Sequence, residues 1–274
     1  MTSTTQTTPI RVAAPDGVEI AVFVSGQGRP LVVVPGTTSD HTTWRLVLPL
    51  LAPHVAVHAV DRRGRGGSGD GPTYSLEHEY ADVAAVVDAA AAAYGSAVDL
   101  LGHSYGGNIA CGATIRTTNV RRLVLYEGWP VPNIAHRTTS PAMMAHLESL
   151  LAQGRPEAML ESFYRDVVKM TEDEIARIEA APTWPARVAA AHTVPRELRG
   201  FGAQAFDPAV AARISVPVLL IVGSESPDDI KADPQIVASA LPDARIHVLK
   251  GQAHIAHVAA PALFAEAVLD FLLD

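Results

Sequence analysis

The chain has 274 residues, 48% hydrophobic and 18% charged, which is a globular composition with enough apolar material for one large domain or two ordinary ones. Its formal charge of −8 argues against nucleic acid or another polyanion as partner, because such binding needs concentrated positive charge to displace counterions. A single cysteine, Cys111, excludes an internal disulfide and fits a reducing, cytoplasmic setting.

In chain order, the opening stretch MTSTTQTTPI has neither the basic start nor the apolar core of a secretory signal and reads as a frayed tail. Val18–Val24 and Leu31–Val34 read as strands, the first introduced by the turn Pro15-Asp16-Gly17, and Val55–Val60 is the next. Ser75–Tyr94 is an amphipathic helix with Ser75 at its N-cap. Its alanine-rich half, Ala84–Tyr94, is too short to cross a membrane and is broken by Asp88. Val98–Leu101 is a strand that leads into a helix beginning at Ser104, and Arg122–Leu125 is another strand.

Between residues 131 and 210 the periodicity is helical, at Pro141–Gln153, Pro156–Val168 and Glu172–Ala180, with punctuation at Gly154, Trp184-Pro185 and Pro195. The chain then returns to alternation: strand Val216–Val222, helix Pro234–Leu241, strand Ile246–Leu249, helix Pro261–Leu272. Strands separated by helices predict an α/β protein with a mostly parallel sheet covered on both faces. Residues 1–130 and 211–274 form its core. Residues 131–210 are a helical insertion, expected over the carboxyl ends of the strands, where such sheets bind ligands.

Gly102-His103-Ser104-Tyr105-Gly106 follows a strand and opens a helix, which is the setting of a G-x-S-x-G nucleophile elbow. Glycines on either side of Ser104 allow strand and helix to approach without Cβ clashes, and the helix N-terminus offers N–H groups to developing negative charge. A serine hydroxyl is nearly inert until a base takes its proton. Among 11 histidines, His254 in Gly251–His257 lies between the last strand and the last helix, at the same sheet edge as the elbow. His257 competes for that role or braces the loop, and His103 packs within the elbow. No further Cys, His or acidic cluster near these residues completes a metal site.

These motifs, with Val32-Val33-Val34-Pro35-Gly36 and the downstream Trp44, and with Asp61-Arg62-Arg63-Gly64-Arg65-Gly66-Gly67-Ser68, resemble the α/β-hydrolase superfamily along essentially the whole chain. The resemblance implies a mostly parallel eight-stranded sheet with helices on both faces, a helical cap and a Ser–acid–His triad. It also implies an oxyanion hole made by the backbone N–H groups of Thr37 and Tyr105. Gly64-x-Gly66-x-x-Gly69 mimics a dinucleotide fingerprint, but no second strand ends in an acidic residue at the required distance. Arg62, Arg63 and Arg65 read as loop-bracing or solvated rather than as a nucleic-acid patch.

The chain departs from the family pattern in two places. Pro35-Gly36 replaces a common His-Gly, which backbone donation from Thr37 tolerates. Ser226 stands after the seventh strand where most relatives place the acidic triad member. Glu127, emerging from the apolar strand Leu123–Tyr126, is the first candidate for the acid, as in relatives that carry it after the sixth strand, such as certain haloalkane dehalogenases. Asp228 is the alternative and Glu225 a third.

A serine nucleophile excludes the usual epoxide-hydrolase and dehalogenase chemistry, which needs a carboxylate, and leaves acyl chemistry on esters, lactones, thioesters or activated carbon–carbon bonds. Trp129, Met144, Phe163 and Trp184 are candidates for contact with a mostly neutral, apolar small molecule, although their spacing also serves helix packing and favours cap core for each. No cofactor or metal is expected, nor a membrane, and the chain is expected to be a monomer or homodimer. Two other readings use the same site: a non-hydrolytic acyltransferase, cyclase or lyase, and a ligand-binding protein with little turnover.

Overall fold

The strands are β1 (Ile10–Ala13), β2 (Glu19–Ser25), β3 (Arg29–Val34), β4 (Val55–Val60), β5 (Val98–His103), β6 (Val120–Tyr126), β7 (Val218–Gly223) and β8 (Ala244–Leu249), in a computed structural model that describes residues 8–130, 132, 138–202 and 206–274. They form an 8-stranded sheet in the order β1-β2-β4-β3-β5-β6-β7-β8. β1 and β2 are antiparallel to their neighbours, and every pair from β4–β3 to β7–β8 is parallel. The carboxyl ends of β3 to β8 therefore share one edge of the sheet.

The helices are α1 (Leu48–Leu51), α2 (Leu76–Tyr94), α3 (Tyr105–Thr114), α4 (Pro141–Ala152), α5 (Pro156–Ser162), α6 (Glu172–Glu179), α7 (Trp184–Ala189), α8 (Val194–Gly202), α9 (Pro208–Ala211), α10 (Asp228–Ala240), α11 (Ala256–Ala259) and α12 (Pro261–Leu273). Strand side chains alternate between two apolar cores, as a period of two requires. Val32, Val34, Leu100, Leu123, Leu125, Leu220 and Val222 pack with α2, α3 and α10 on one face. Leu31, Val33, Leu101, Val124, Leu219 and Ile221 pack with α1 and α12 on the other. Both faces are covered, so the central strands are largely apolar, β3 and β7 most continuously. Ser75 caps α2 by accepting from the His78 N–H at 3.2 Å, and Gly95 ends it in the left-handed region.

A third apolar cluster belongs to the segment between β6 and β7. It joins Leu147 and Leu150 of α4, Met159 and Leu160 of α5, Ile175 and Ile178 of α6, and Val194 of α8, and it takes in Ile255 from beyond β8. Among the described residues this segment holds no strand. Charged contacts tie α8 down to the loop after β4. Glu197 accepts from Arg62 Nη2 at 3.0 Å and pairs with Arg65, while Arg62 Nη1 reaches Glu79 at 2.7 Å, all of them buried.

Three expectations needed correction. The tail expected over residues 1–10 ends sooner, because Ile10 opens β1, whose residues Ile10–Ala13 are assigned no strand from sequence and pair with β2; residues 1–7 lie outside those described. α10 starts at Asp228 rather than at Pro234, which sits inside the helix. The helix expected over Pro156–Val168 is regular only to Ser162 and continues as a π-helical stretch from Phe163 to Val168. No described helix is long and apolar enough to cross a membrane.

Candidate active site

Each parallel strand from β3 to β8 delivers a polar group just past its carboxyl end, and β5 delivers Ser104. That residue sits at φ 55, ψ −128, an unfavourable conformation for a residue with a Cβ, and joins β5 to α3 in a single step. Close backbone approach makes the turn. A Cβ on Gly106 would lie 2.4 Å from the Val34 carbonyl oxygen, and one on Gly128 would lie 2.0 Å from the Ser104 carbonyl oxygen. The ends of β3 and β6 thus press directly against the elbow. The Ser104 N–H donates to the Tyr126 carbonyl at 2.9 Å, and its own carbonyl accepts from the Gly107 N–H at 2.8 Å.

Glu127, the first residue past β6, also has a positive φ, 43°. It is 7% exposed. Its Oε2 lies 2.8 Å from His254 Nδ1, and its Oε1 accepts from the Gly223 N–H at 2.8 Å and from the Ser226 hydroxyl. Burial alone would raise its pKa. The His254 hydrogen bond and charge, together with the Ser226 and Gly223 donors, outweigh that effect and hold the carboxyl below its ordinary range.

The loop that carries His254 is fixed from three sides. The Tyr126 hydroxyl donates to the Ala253 carbonyl and accepts from the Ala256 N–H at 2.8 Å. His103 Nε2 donates to the His254 carbonyl at 2.8 Å. His257 is buried against Trp44, His103, Tyr126 and Phe264, with its Nε2 3.2 Å from Thr43 Oγ1. Burial, with the Arg187 charge, drives its pKa down to about 3, so the ring is neutral. His103 is likewise held well below its ordinary value by burial and by its histidine neighbours. Both rings brace the loop.

The other carboxylates proposed from sequence lie elsewhere. Asp228 is 99% exposed at the start of α10 and pairs with Lys231 at 2.9 Å. Glu225 is exposed and accepts from the Ser224 hydroxyl at 2.9 Å. Neither contacts His254; in their place Ser226 turns inward and donates to Glu127.

Ser104, His254, Thr37 and Tyr105 line one cavity of about 390 Å³, with Trp129, Phe163, Leu198, Phe201 and Ile230 among its walls. The Trp129 indole N–H lies 3.2 Å from Asp233 Oδ2, which fixes the ring. Met144 and Trp184 are not wall residues. Met144 is half-buried on α4, and Trp184 packs against the helical segment's own apolar cluster, because the spacing that suggested a pocket also serves helix packing. A smaller compartment of about 40 Å³ opens from the same Ser104, Thr37 and His254, and Arg187 and Tyr164 line it.

Sequence reasoning missed Arg187 and the donor role of Ser226. The Ser226 side chain was signalled only by its occupying the family's acid position. Arg187 sits in a helical run with no motif, and its partners Thr38 and Thr43 are far away in sequence. Asp40, His41 and Asp61 have metal-ligand spacing, but their carboxylates already accept from the N–H groups of Thr42, His41 and Gly67.

Comparison with known proteins places the fold. The profile of the alpha/beta hydrolase family matches residues 31–267. The chain is 30% identical to the 2-hydroxymuconate semialdehyde hydrolase of Pseudomonas sp. strain CF600 over 94% of its own length and 92% of the relative's. It is 35% identical to the N-formylmaleamate deformylase of Pseudomonas putida, though that match covers only 46% of either protein. Among solved structures, an alpha/beta hydrolase from Sphaerobacter thermophilus superposes with a TM-score of 0.84 at 34% identity, covering 96% of this chain and 100% of the other. The enol-lactonase of Burkholderia xenovorans gives a TM-score of 0.75 at 20% identity, covering 97% and 100%, a likeness of fold alone.

Proposed function

The chain belongs to the alpha/beta hydrolase family, and from that premise we propose that it is a serine hydrolase that cleaves an ester, lactone or related acyl bond of a small molecule. The observation that carries this reading is the 2.8 Å contact between His254 Nδ1 and Glu127 Oε2, made at the wall of the cavity that Ser104 enters on its strained turn.

In this reading the Nδ1 contact fixes the histidine tautomer, leaving Nε2 to take the Ser104 proton as Oγ attacks the substrate carbonyl. The carbonyl π-electrons move onto oxygen, and the backbone N–H groups of Thr37 and Tyr105 stabilise that oxyanion. Glu127 stays ionised and stabilises the imidazolium. Collapse of the tetrahedral adduct breaks the acyl bond, and His254 Nε2–H protonates the leaving group. Water then attacks the acyl-enzyme with His254 again as base, which releases the acid and restores Ser104. Residues 131–210 act as the lid; Phe163 from the lid and Trp129 from the turn after β6 contribute apolar contacts to the substrate. The relatives named for a deformylase and a semialdehyde hydrolase support hydrolysis over acyl transfer.

The test is a fluorophosphonate probe read by intact mass. Wild-type protein is expected to gain a single adduct and folded Ser104→Ala none, with the variant's kcat on a simple ester at least about 10⁴-fold lower. Folded wild type that takes up no probe overturns the assignment.

A further inference from the structure

Arg187, on α7, is 8% exposed and borders the smaller compartment beside Ser104. Its Nη1 donates to Thr38 Oγ1 at 3.1 Å and to Tyr164 Oη at 3.4 Å, and its Nη2 donates to Thr43 Oγ1 at 3.3 Å. Its Nε is buried with no partner. All of these acceptors are neutral hydroxyls. Among the described residues no carboxylate pairs with it.

The other deeply buried arginines are handled differently. Arg62 has Glu79 and Glu197, Arg63 has Asp82 and Asp16, and Arg65 has Glu197. A buried guanidinium is normally matched by an anion because desolvating an unpaired charge is costly. The neighbours of Arg187 do not supply one. Arg45 lies close enough to repel it; the other titratable groups facing it are the Tyr164 hydroxyl, the neutral rings of His257 and His103, and His254 across the compartment, and none of them is an anion.

We infer that the counter-charge comes from the substrate, and that the Arg187 compartment is a carboxylate subsite of the hydrolase. The inference rests on the serine-hydrolase reading and narrows it to acyl compounds that carry a carboxylate a few atoms from the scissile carbonyl. Size agrees, since about 40 Å³ admits a group of a few heavy atoms. A planar guanidinium with donors to spare suits a carboxylate's paired oxygens. The larger compartment, walled by Trp129, Phe201, Leu198 and Ile230, takes the apolar remainder. The expectation of a neutral substrate, drawn from the few charges in the lid sequence, gives way to an amphipathic one.

The test compares the mono-4-nitrophenyl ester of glutaric acid with its methyl-capped counterpart, on wild type, Arg187→Gln and Arg187→Lys. Wild type is expected to favour the free acid at least tenfold in kcat/KM, mainly through KM. Arg187→Gln removes that preference and Arg187→Lys keeps part of it. Fluorophosphonate labelling of Ser104 is read in parallel. Labelled wild type with equal rates on the two esters overturns the carboxylate subsite and leaves the hydrolase reading standing; absence of labelling removes both. Should Arg187→Gln not fold, competitive inhibition of wild type by glutarate and not by dimethyl glutarate supports the subsite, and equal inhibition overturns it.

Discussion

The turns after β6 and β7 leave paired strands at one edge of the sheet, with Tyr126 beside Ile221, and each presents a carboxylate within a few residues. Glu127 is buried, sits at positive φ and receives three hydrogen bonds, from His254, Gly223 and Ser226. Asp228 is fully in solvent with a lysine one helical turn away. Two adjacent turns of one sheet thus split the labour: in the proposed triad the β6 turn supplies the acid, and the β7 turn supplies donors that hold its carboxyl below the ordinary range. The position of the acid follows from where buried donors converge, since a carboxylate stays charged inside a protein only when such donors surround it.

The largest effect expected from this comparison is that of Glu127→Gln. The amide keeps the shape but cannot hold the imidazolium, so kcat on a test ester should fall about 10³–10⁴-fold with KM little changed. Retention of more than a tenth of wild-type kcat would return the acid's role to another residue. The same variant should alter acid stability. Glu127 is held below its ordinary value of 4.5, so the unfolded chain binds its proton more tightly than the folded protein does. The stability it contributes is complete above that value and is lost as pH falls through the lower, folded value. Denaturant melts from pH 6 downward should therefore show a shallower acid decline for Glu127→Gln than for wild type, and parallel curves would contradict the depressed pKa.

How much of this was legible beforehand depends on the range of the interactions. The central strands could be read because both faces are buried, which writes the sheet into short β-branched runs. β1 could not, because its four residues are largely exposed and draw their definition from pairing with β2. Pro234 misled the start of α10 because proline favours the first turn of a helix, whereas here it is tolerated, buried, in the middle. The elbow at Ser104 was plain because its glycines are neighbours in sequence. The acid was ambiguous, because the contact between Glu127 and His254 spans 127 positions and no local pattern records it. Arg187 was invisible for the same reason: its significance lies in what surrounds it, and those groups come from the loop after β3 and from Tyr164.

A smaller effect is expected at Ser226, the residue that replaces the family's usual acid. Ser226→Ala removes one of the two donors to Glu127 Oε1 and leaves the Gly223 N–H in place. Losing a hydrogen bond to a buried charged group costs about 1.5–3 kcal/mol, which corresponds to roughly ten- to hundredfold if it is felt wholly in the transition state. Because Glu127 is charged in the free enzyme as well, most of that cost falls on both states, and a drop in kcat of about three- to tenfold is expected. A loss as large as that of Glu127→Gln would mean that the Gly223 N–H alone does not hold the Glu127 carboxylate in place and that Ser226 sets its position.

The smallest effect is expected at Asp228, and it is the one that isolates the comparison. Asp228→Asn removes a charge from solvent and from the start of α10, together with an exposed pair to Lys231 that water screens. Nothing in that change reaches His254, whose acidic partner is already in place. Steady-state assays on one ester should therefore put kcat/KM within about twofold of wild type. The pH–rate profile should superpose on the wild-type curve, since the groups that set it are untouched. A tenfold loss in Asp228→Asn would require the start of α10 to swing inward during turnover and would make the β7 turn an alternate donor of the acid. One silent and one crippling substitution on adjacent turns would separate a fixed acid after β6 from a shared one.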